Sequence, residues 1–394
     1  MATILTQATK ILYRKLLLNL EQVAGESGVT GLGIRFVHST GWRCSPTAVQ
    51  NGRRLNVGVM GAGRIATTVH LGNIINHRRL NLKWITEDNP ERVQIVKDLF
   101  DLDDKLFLTS RVLPDLLSSK DLDAVFVFTP TDSHYSIVCE SLSKGKSVFV
   151  EKPTGENMKE IRSCYEHSEK FGKPLLTAFQ RRFDPAFQKV VSAAHSKSIG
   201  DIQMLNFRSR DSPKPSYDFL GAVGTSSTGC GILTDLAVHD IDLMVWITRA
   251  QRPESVYVVT HTHDTKMAEF GEADTMVAVV KYKCGILATL DASRYAAYGY
   301  DMRLEVFGSD GLATVENPKV SSEVIDMGRG ARMTRLNESF TQRFRESYIN
   351  EIDHFIDCVD GKAKPLITKE ESVMTAEIIE KGLESFRLKR PVYF

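Results

Sequence analysis

The chain reads as an α/β protein: a doubly wound parallel sheet over residues 55–178, then an α+β part over 179–394 built on a large open, mainly antiparallel sheet. Two observations predict this. From Leu55 to about Ala178, short apolar runs alternate with segments of helical period, the pattern of a parallel sheet covered by helices on both faces. Beyond that point the apolar runs lengthen and alternate with polar residues, as strands do when only one face is covered. With 394 residues, 42% hydrophobic and 25% charged, the chain has material for two substantial cores.

The first part predicts strands at 55–61, 82–87, 106–109, 123–129, 147–151 and 174–179, with helices between them. The first strand runs into Gly61-Ala62-Gly63-Arg64-Ile65-Ala66, a Gly-x-Gly-x-x-Ala turn opening a helix. Gly61 permits the tight turn, Gly63 lets backbone approach a pyrophosphate, Ala66 allows close helix packing, and the helix N–H groups face the anion. This is the dinucleotide fingerprint of a Rossmann unit. Glu87 closes the second strand, at the spacing expected of the acid that accepts hydrogen bonds from ribose hydroxyls. Its charge repels a 2′-phosphate and so favours NAD over NADP; the plainer alternative is an acid opening the helix near Pro90. Arg64 either neutralises phosphate or solvates a helix face. The fourth strand ends at Thr129-Pro130-Thr131, and ligands gather at the carboxyl ends of such strands. Thr129, Pro130 and His134 are therefore candidate contacts on the nicotinamide side, with a structural role at a helix start as the alternative for His134.

The second part predicts strands at 201–210, 254–262, 274–293 with Cys284-Gly285 as hairpin turn, and 302–316 broken at Gly308-Ser309-Asp310-Gly311. Helices, one over 235–248, cover one sheet face, and the other face calls for a partner, so a homo-oligomer, dimer or tetramer, is expected. A net charge of +1 without an aromatic-interleaved basic stripe gives no reason to expect nucleic acid. The six cysteines lack CxxC spacing, so neither a zinc knuckle nor a disulfide framework is indicated. Residues 1–54 precede the fold. Ile11–Leu18 is too short and too basic to span a bilayer, and no membrane role is expected. The segment is read either as a poorly ordered extension of a cytoplasmic enzyme or, from its basic and acid-poor start, as a transit peptide for the mitochondrial matrix.

The chemistry centres on Lys152, in Glu151-Lys152-Pro153 at the end of the fifth strand, and on Asp235 and His239, one helical turn apart. Oxidising a secondary alcohol requires a base for the hydroxyl proton as hydride leaves carbon, and histidine titrates in the right range. Asp235 and His239 at i and i+4 share a helix face, where the carboxylate can orient the imidazole. Lys152, at the cofactor edge, can hydrogen-bond the reacting oxygen or tune the histidine. Taken singly, Asp235 as a helix cap and His239 as a core residue are the plainer readings; together with the fingerprint, catalysis is favoured. A metal held by Asp235, His239, Asp240 and Asp242 is disfavoured, because 240 and 242 point away from the face of 235 and 239. Arg182 and Asp184 are read as a possible structural ion pair, and the Lys152-Pro153 bond is expected to be cis, since the chain must turn sharply there.

Five stretches together resemble the glucose-fructose oxidoreductase / inositol dehydrogenase (Gfo/Idh/MocA) family: Gly61 to Ile65, Thr129 to His134, Gly145 to Pro153, Arg181 to Pro185, and Asp235 to Asp242. Phe179 to Asp184, Ser209-Arg210-Asp211 and Tyr298-Gly299-Tyr300-Asp301 are most similar to its myo-inositol 2-dehydrogenase members. The resemblance runs from about Leu55 to near the C-terminus, and Ser212 to Gly229 departs from it. It implies NAD-dependent oxidation of a cyclic polyol, myo-inositol to 2-keto-myo-inositol (scyllo-inosose). Cofactor contacts would come from Gly61, Gly63, Arg64, Ile65, Glu87, Thr129, Pro130, His134, Glu151 and Lys152. Substrate contacts would come from Lys152, Arg181, Asp211, Asp235, His239, Tyr298 and Tyr300. The alternatives are a dehydrogenase of another sugar or of a dihydrodiol, and a non-catalytic NAD-binding redox sensor.

Overall fold

A computed structural model describes residues 53–217, 219 and 230–394. Both readings of the N-terminal segment, and most of the departing stretch after Asp211, fall outside the described residues. Six parallel strands form the first sheet: β1 (Leu55–Met60), β2 (Leu80–Thr86), β3 (Phe107–Leu108), β4 (Ala124–Val127), β5 (Ser147–Glu151) and β6 (Leu175–Ala178). Their order is β3-β2-β1-β4-β5-β6, so winding reverses at β1 and leaves a crevice beyond the carboxyl ends of β1 and β4. Val57, Val59, Val125, Phe126, Val148 and Phe149 are wholly buried, because helices cover both faces. Local chemistry sets the helix ends. Asn89 accepts the N–H groups of Glu91 and Arg92 ahead of Pro90–Phe100, and Asn157 caps Met158–Phe171, which stops at Gly172 in the left-handed region.

The second sheet comprises β7 (Ile202–Arg210), β8 (Pro253–His261), β9 (Thr275–Tyr282), β10 (Leu287–Ser293), β11 (Asp301–Gly308) and β12 (Leu312–Val315). A surface hairpin, β13 (Val324–Met327) with β14 (Gly330–Met333), and the terminal β15 (Val392–Tyr393) follow. The order is β12-β11-β7-β10-β9-β8-β15, antiparallel except where β7 and β10 run side by side in parallel. Alternation is regular: β9 buries Met276, Ala278 and Val280 and exposes Val277 and Val279. Helices Pro185–His195, Val238–Ile247 and Lys369–Leu388 pack on the buried face. The outer face shows Tyr257, Val259, Val277, Val279, Leu287 and Phe307 to solvent. No helix among the described residues is long and apolar enough to cross a membrane.

The helix Arg345–Val359 returns to the first sheet, where Ile352, Phe355 and Ile356 join the core around Phe126 and Phe149. It also carries Glu351, wholly buried, with neither carboxyl oxygen hydrogen-bonded among the described residues. Burial, and then the charge of Glu151, push this carboxyl well above its ordinary 4.5. The folded protein thus keeps a proton that the unfolded chain releases, so this group costs stability increasingly as pH rises above the unfolded value. Glu351→Gln should therefore match the wild type near pH 4 and become the more stable form toward pH 8, with a divergence of up to roughly 1.4 kcal/mol per pH unit. Thermal unfolding across that range checks this; parallel curves would contradict it.

Candidate active site

The turn after β1 has the geometry that its glycines suggest. Gly61 has φ +84°, and a Cβ there would lie 2.8 Å from the Phe128 carbonyl oxygen, so only glycine fits. A Cβ at Gly63 would meet nothing within 4 Å, which leaves open space where a phosphate can approach the backbone. Ala66 is fully buried and starts a π-turn, Ala66–His70, that continues as helix Leu71–Asn76. Glu87 stands beside this turn: Oε2 accepts the Ala62 N–H at 3.0 Å and Oε1 that of Asn89 at 2.9 Å. Ile65 packs half-buried into the first core, whereas exposed Arg64 lies over the Phe219 ring, 4.6 Å from its centroid. Thr129 accepts a hydrogen bond from Ser133 at 2.7 Å, and Pro130 is exposed ahead of helix Thr131–Ser143. These residues fit a dinucleotide at the carboxyl edge of β1, β2 and β4.

Two of the expected cofactor contacts are turned inward. His134 is buried, with Nδ1 2.7 Å from the Pro153 carbonyl oxygen and Nε2 2.8 Å from that of Thr129. It ties the β4 turn to the Lys152-Pro153 turn rather than facing a ligand. Glu151 directs Oε1 to His70 Nε2 at 2.9 Å and Oε2 to its neighbour's amide, Lys152 N–H, at 3.1 Å. His70 is itself wholly buried and stacked on Phe128, so this carboxylate lies behind the cleft. The Lys152-Pro153 peptide is cis, as expected.

Lys152 and Asp235 meet across the two halves of the fold. The Lys152 ammonium donates to the Asp235 carbonyl oxygen and to Oδ1, both at 2.9 Å. Asp235 does not start a helix; it lies in the π-turn Ile232–Leu236, after which Val238–Ile247 carries His239. Its other oxygen, Oδ2, accepts from Arg294 Nη1 at 2.8 Å. Burial alone would raise the Asp235 carboxyl, but the Lys152 and Arg294 charges and hydrogen bonds outweigh it and hold it well below the carboxylate range. The orienting bond from Asp235 to His239 is not formed. Both oxygens are taken by cations, and His239 Nδ1 is buried without a partner among the described residues. What Asp235 supplies to His239 is charge. Burial, Lys152 and Arg181 push the imidazole well below 6.5, with Asp235 opposing them, so the ring is neutral and able to accept a proton.

Arg181 is placed in the core rather than in a substrate cleft. It is 2% exposed and bonded to Asp240 Oδ1 at 2.5 Å and to Ser209 at 3.2 Å. Arg182 pairs with Asp242 and Glu371, while Asp184 pairs with Arg343, so the expected Arg182–Asp184 bridge is replaced by three others. Asp240 and Asp242 thus face away from Asp235, each neutralised by an arginine. Tyr298 is half exposed; its hydroxyl donates to Asp301 at 2.7 Å and accepts from Arg210 at 3.3 Å. Tyr300 is buried edge-on against Phe344, within reach of the Asp211 and Asp240 charges. Asp211 does border the cluster: burial, then Asp235, push its carboxyl up to about 6 against the pull of Arg294.

A fingerprint-bearing parallel sheet, joined to an open-sheet half that delivers an aspartate and a histidine to the lysine at its edge, defines a dinucleotide-dependent oxidoreductase. Profiles for the "Oxidoreductase family, NAD-binding Rossmann fold" and the "GFO/IDH/MocA C-terminal domain" match residues 55–179 and 187–314, and the chain belongs to this family. It is an NAD-dependent oxidoreductase. The myo-inositol 2-dehydrogenase of Thermotoga maritima is 30% identical over 338 residues, 86% of this chain and 98% of that one. The inositol 2-dehydrogenase of Rhizobium meliloti is 28% identical over 85% of this chain and 98% of its own. Among solved structures, a putative myo-inositol dehydrogenase from Sinorhizobium meliloti superposes with TM-score 0.76 at 27% identity, covering 86% of this chain and 99% of that one.

Sequence reasoning missed Arg294, Glu272, His70 and Glu351. Arg294 alone carried a signal, since the alternation Ala288, Leu290, Ala292 continues inward to 294. With Glu87 held against the turn, Glu87→Ser should raise kcat/KM with NADP relative to NAD by about tenfold or more, the equivalent of some 1.4 kcal/mol. An unchanged ratio would remove Glu87 from ribose recognition.

Proposed function

We propose that the chain oxidises a ring CH–OH of a cyclic polyol, myo-inositol to 2-keto-myo-inositol, with His239 as base. The observation that carries this is the Lys152–Asp235 contact, which sets a fixed ammonium and a neutral imidazole at the carboxyl edge of the nucleotide-binding sheet. NAD bound on the Gly61-Ala62-Gly63 turn supplies the hydride acceptor. The chain's own groups manage the proton and the oxygen. Lys152 donates to the reacting oxygen and favours the charge that develops there. His239 takes the hydroxyl proton, becoming imidazolium, and Asp235 stabilises that charge. Asp211, holding its proton to about pH 6, offers a donor or acceptor to a neighbouring hydroxyl.

The inositol dehydrogenases among the relatives support the substrate class, and the Asp235 charge, the one group at the imidazole that favours its protonation, supports the base. We propose in addition that the outer sheet face, with Tyr257, Val259, Val277 and Val279 exposed, pairs with a second copy, which the mass in solution tests.

Incubation with NAD and a panel of inositol isomers, other sugars and a dihydrodiol tests the function. myo-Inositol should give the highest kcat/KM, and His239→Ala should lower kcat about 10²-fold or more with NAD affinity unchanged. Preference for another sugar or for a dihydrodiol would overturn the substrate, and absence of turnover on the whole panel would favour a nucleotide sensor.

A further inference from the structure

We propose that Arg294, backed by Glu272, is a positioning residue for alcohol oxidation: it fixes the Asp235 carboxylate so that Asp235 serves Lys152 with one oxygen and His239 with its field. The proposal rests on His239 being the base. Arg294 emerges from the end of β10 on the buried face, 1% exposed, and its backbone N–H is held by the Asp274 carbonyl at 2.8 Å. Its guanidinium donates through Nη1 to Asp235 Oδ2 at 2.8 Å, and through Nη2 and Nε to Glu272 Oε1 at 2.9 and 3.3 Å. The second oxygen of Glu272, itself wholly buried, accepts the Gly231 N–H at 2.8 Å. Gly231 immediately precedes the π-turn Ile232–Leu236 that carries Asp235. The pair therefore grips this turn twice, at its first backbone group and at the carboxylate it presents.

Burying such a pair costs desolvation that apolar residues of the same volume would not, so stability alone is a weak reason for it. A planar guanidinium does what an apolar side chain cannot: it holds a carboxylate in one orientation. Charges alternate outward from the core, Glu272 negative, Arg294 positive, Asp235 negative and Lys152 positive. The groups facing His239 are Lys152 and Arg181, which disfavour its protonation, Asp235, which favours it, and the edge-on Phe179 ring 6.2 Å away. Arg294 reaches His239 only by compensating part of the Asp235 charge. Taking Arg294 away frees that charge to act on the imidazole, whereas neutralising Glu272 lets Arg294 compensate Asp235 more fully. The two changes move His239 in opposite directions.

The test compares kcat/KM against pH for the wild type, Glu272→Gln, Arg294→Lys and the double variant Arg294→Met/Glu272→Gln, which leaves neither buried charge unpaired. NAD affinity and thermal unfolding are measured alongside. The acid limb of the double variant should rise by about half a pH unit or more, because Asp235 loses its bonded cation while the more distant Glu272 charge goes with it. Its kcat should fall about tenfold or more with NAD affinity unchanged. Glu272→Gln should move the limb down, and Arg294→Lys should hold it near the wild-type position with part of the rate restored. Limbs that coincide in all four proteins, or that shift in one direction in both Glu272→Gln and the double variant, would overturn the positioning role even if stability drops. A wild type lacking a His239-dependent limb would instead remove the base, and this inference with it.

Discussion

Everything at the candidate site depends on Asp235 standing between two cations. One, Lys152, arrives from the end of β5 in the nucleotide-binding sheet, and the other, Arg294, from the end of β10 in the open sheet. The carboxylate is the point where the two halves of the fold share charge. Were it absent, Lys152 and Arg294 would face each other's neighbourhood unshielded, and the imidazole of His239 would feel only the positive fields of Lys152 and Arg181. The arrangement keeps the imidazole neutral, the form the proposed base requires, while leaving the Asp235 charge beside it to favour a proton taken there.

The surroundings serve that point. His134 bridges the β4 turn and the Lys152-Pro153 turn through two backbone carbonyls, so the lysine leaves its strand from a braced loop. Glu151, engaged by buried His70, secures the amide of Lys152 from behind. On the other side, Arg181–Asp240 and Arg182–Asp242 are buried pairs that anchor the helix of His239 to the segment following β6. Breaking one such pair by removing a partner typically costs about 3–5 kcal/mol, which makes these arginines scaffold rather than substrate contacts.

The parallel sheet was legible because a strand covered on both faces must be mostly apolar, as β4 is throughout and as Val57–Met60 of β1 and Val148–Val150 of β5 are. The open sheet was legible from its alternation, and its parallel β7/β10 pair was not, since pattern within a strand does not state its neighbour. Gly61, Gly63 and Glu87 could be placed because their roles are local to one turn and one strand end. Arg181, Glu151 and His134 could not, because what decides whether an ionisable group faces a ligand or the core is a partner far along the chain: Asp240 for Arg181, His70 for Glu151 and Pro153 for His134. The i, i+4 spacing of Asp235 and His239 suggested a hydrogen bond, which the π-turn and the two competing cations preclude, leaving only the charge of Asp235 to act on the imidazole.

The account's central claim is that Asp235 holds Lys152 for its work on the reacting oxygen. A double-mutant cycle in kcat/KM with Lys152→Met, Asp235→Asn and the combined variant measures this most directly. Strong non-additivity is predicted, the double variant being only slightly worse than the worse single one, with a coupling of about 1.5 kcal/mol or more. Additive losses would mean that the two residues act independently, and the shared-carboxylate account would be contradicted.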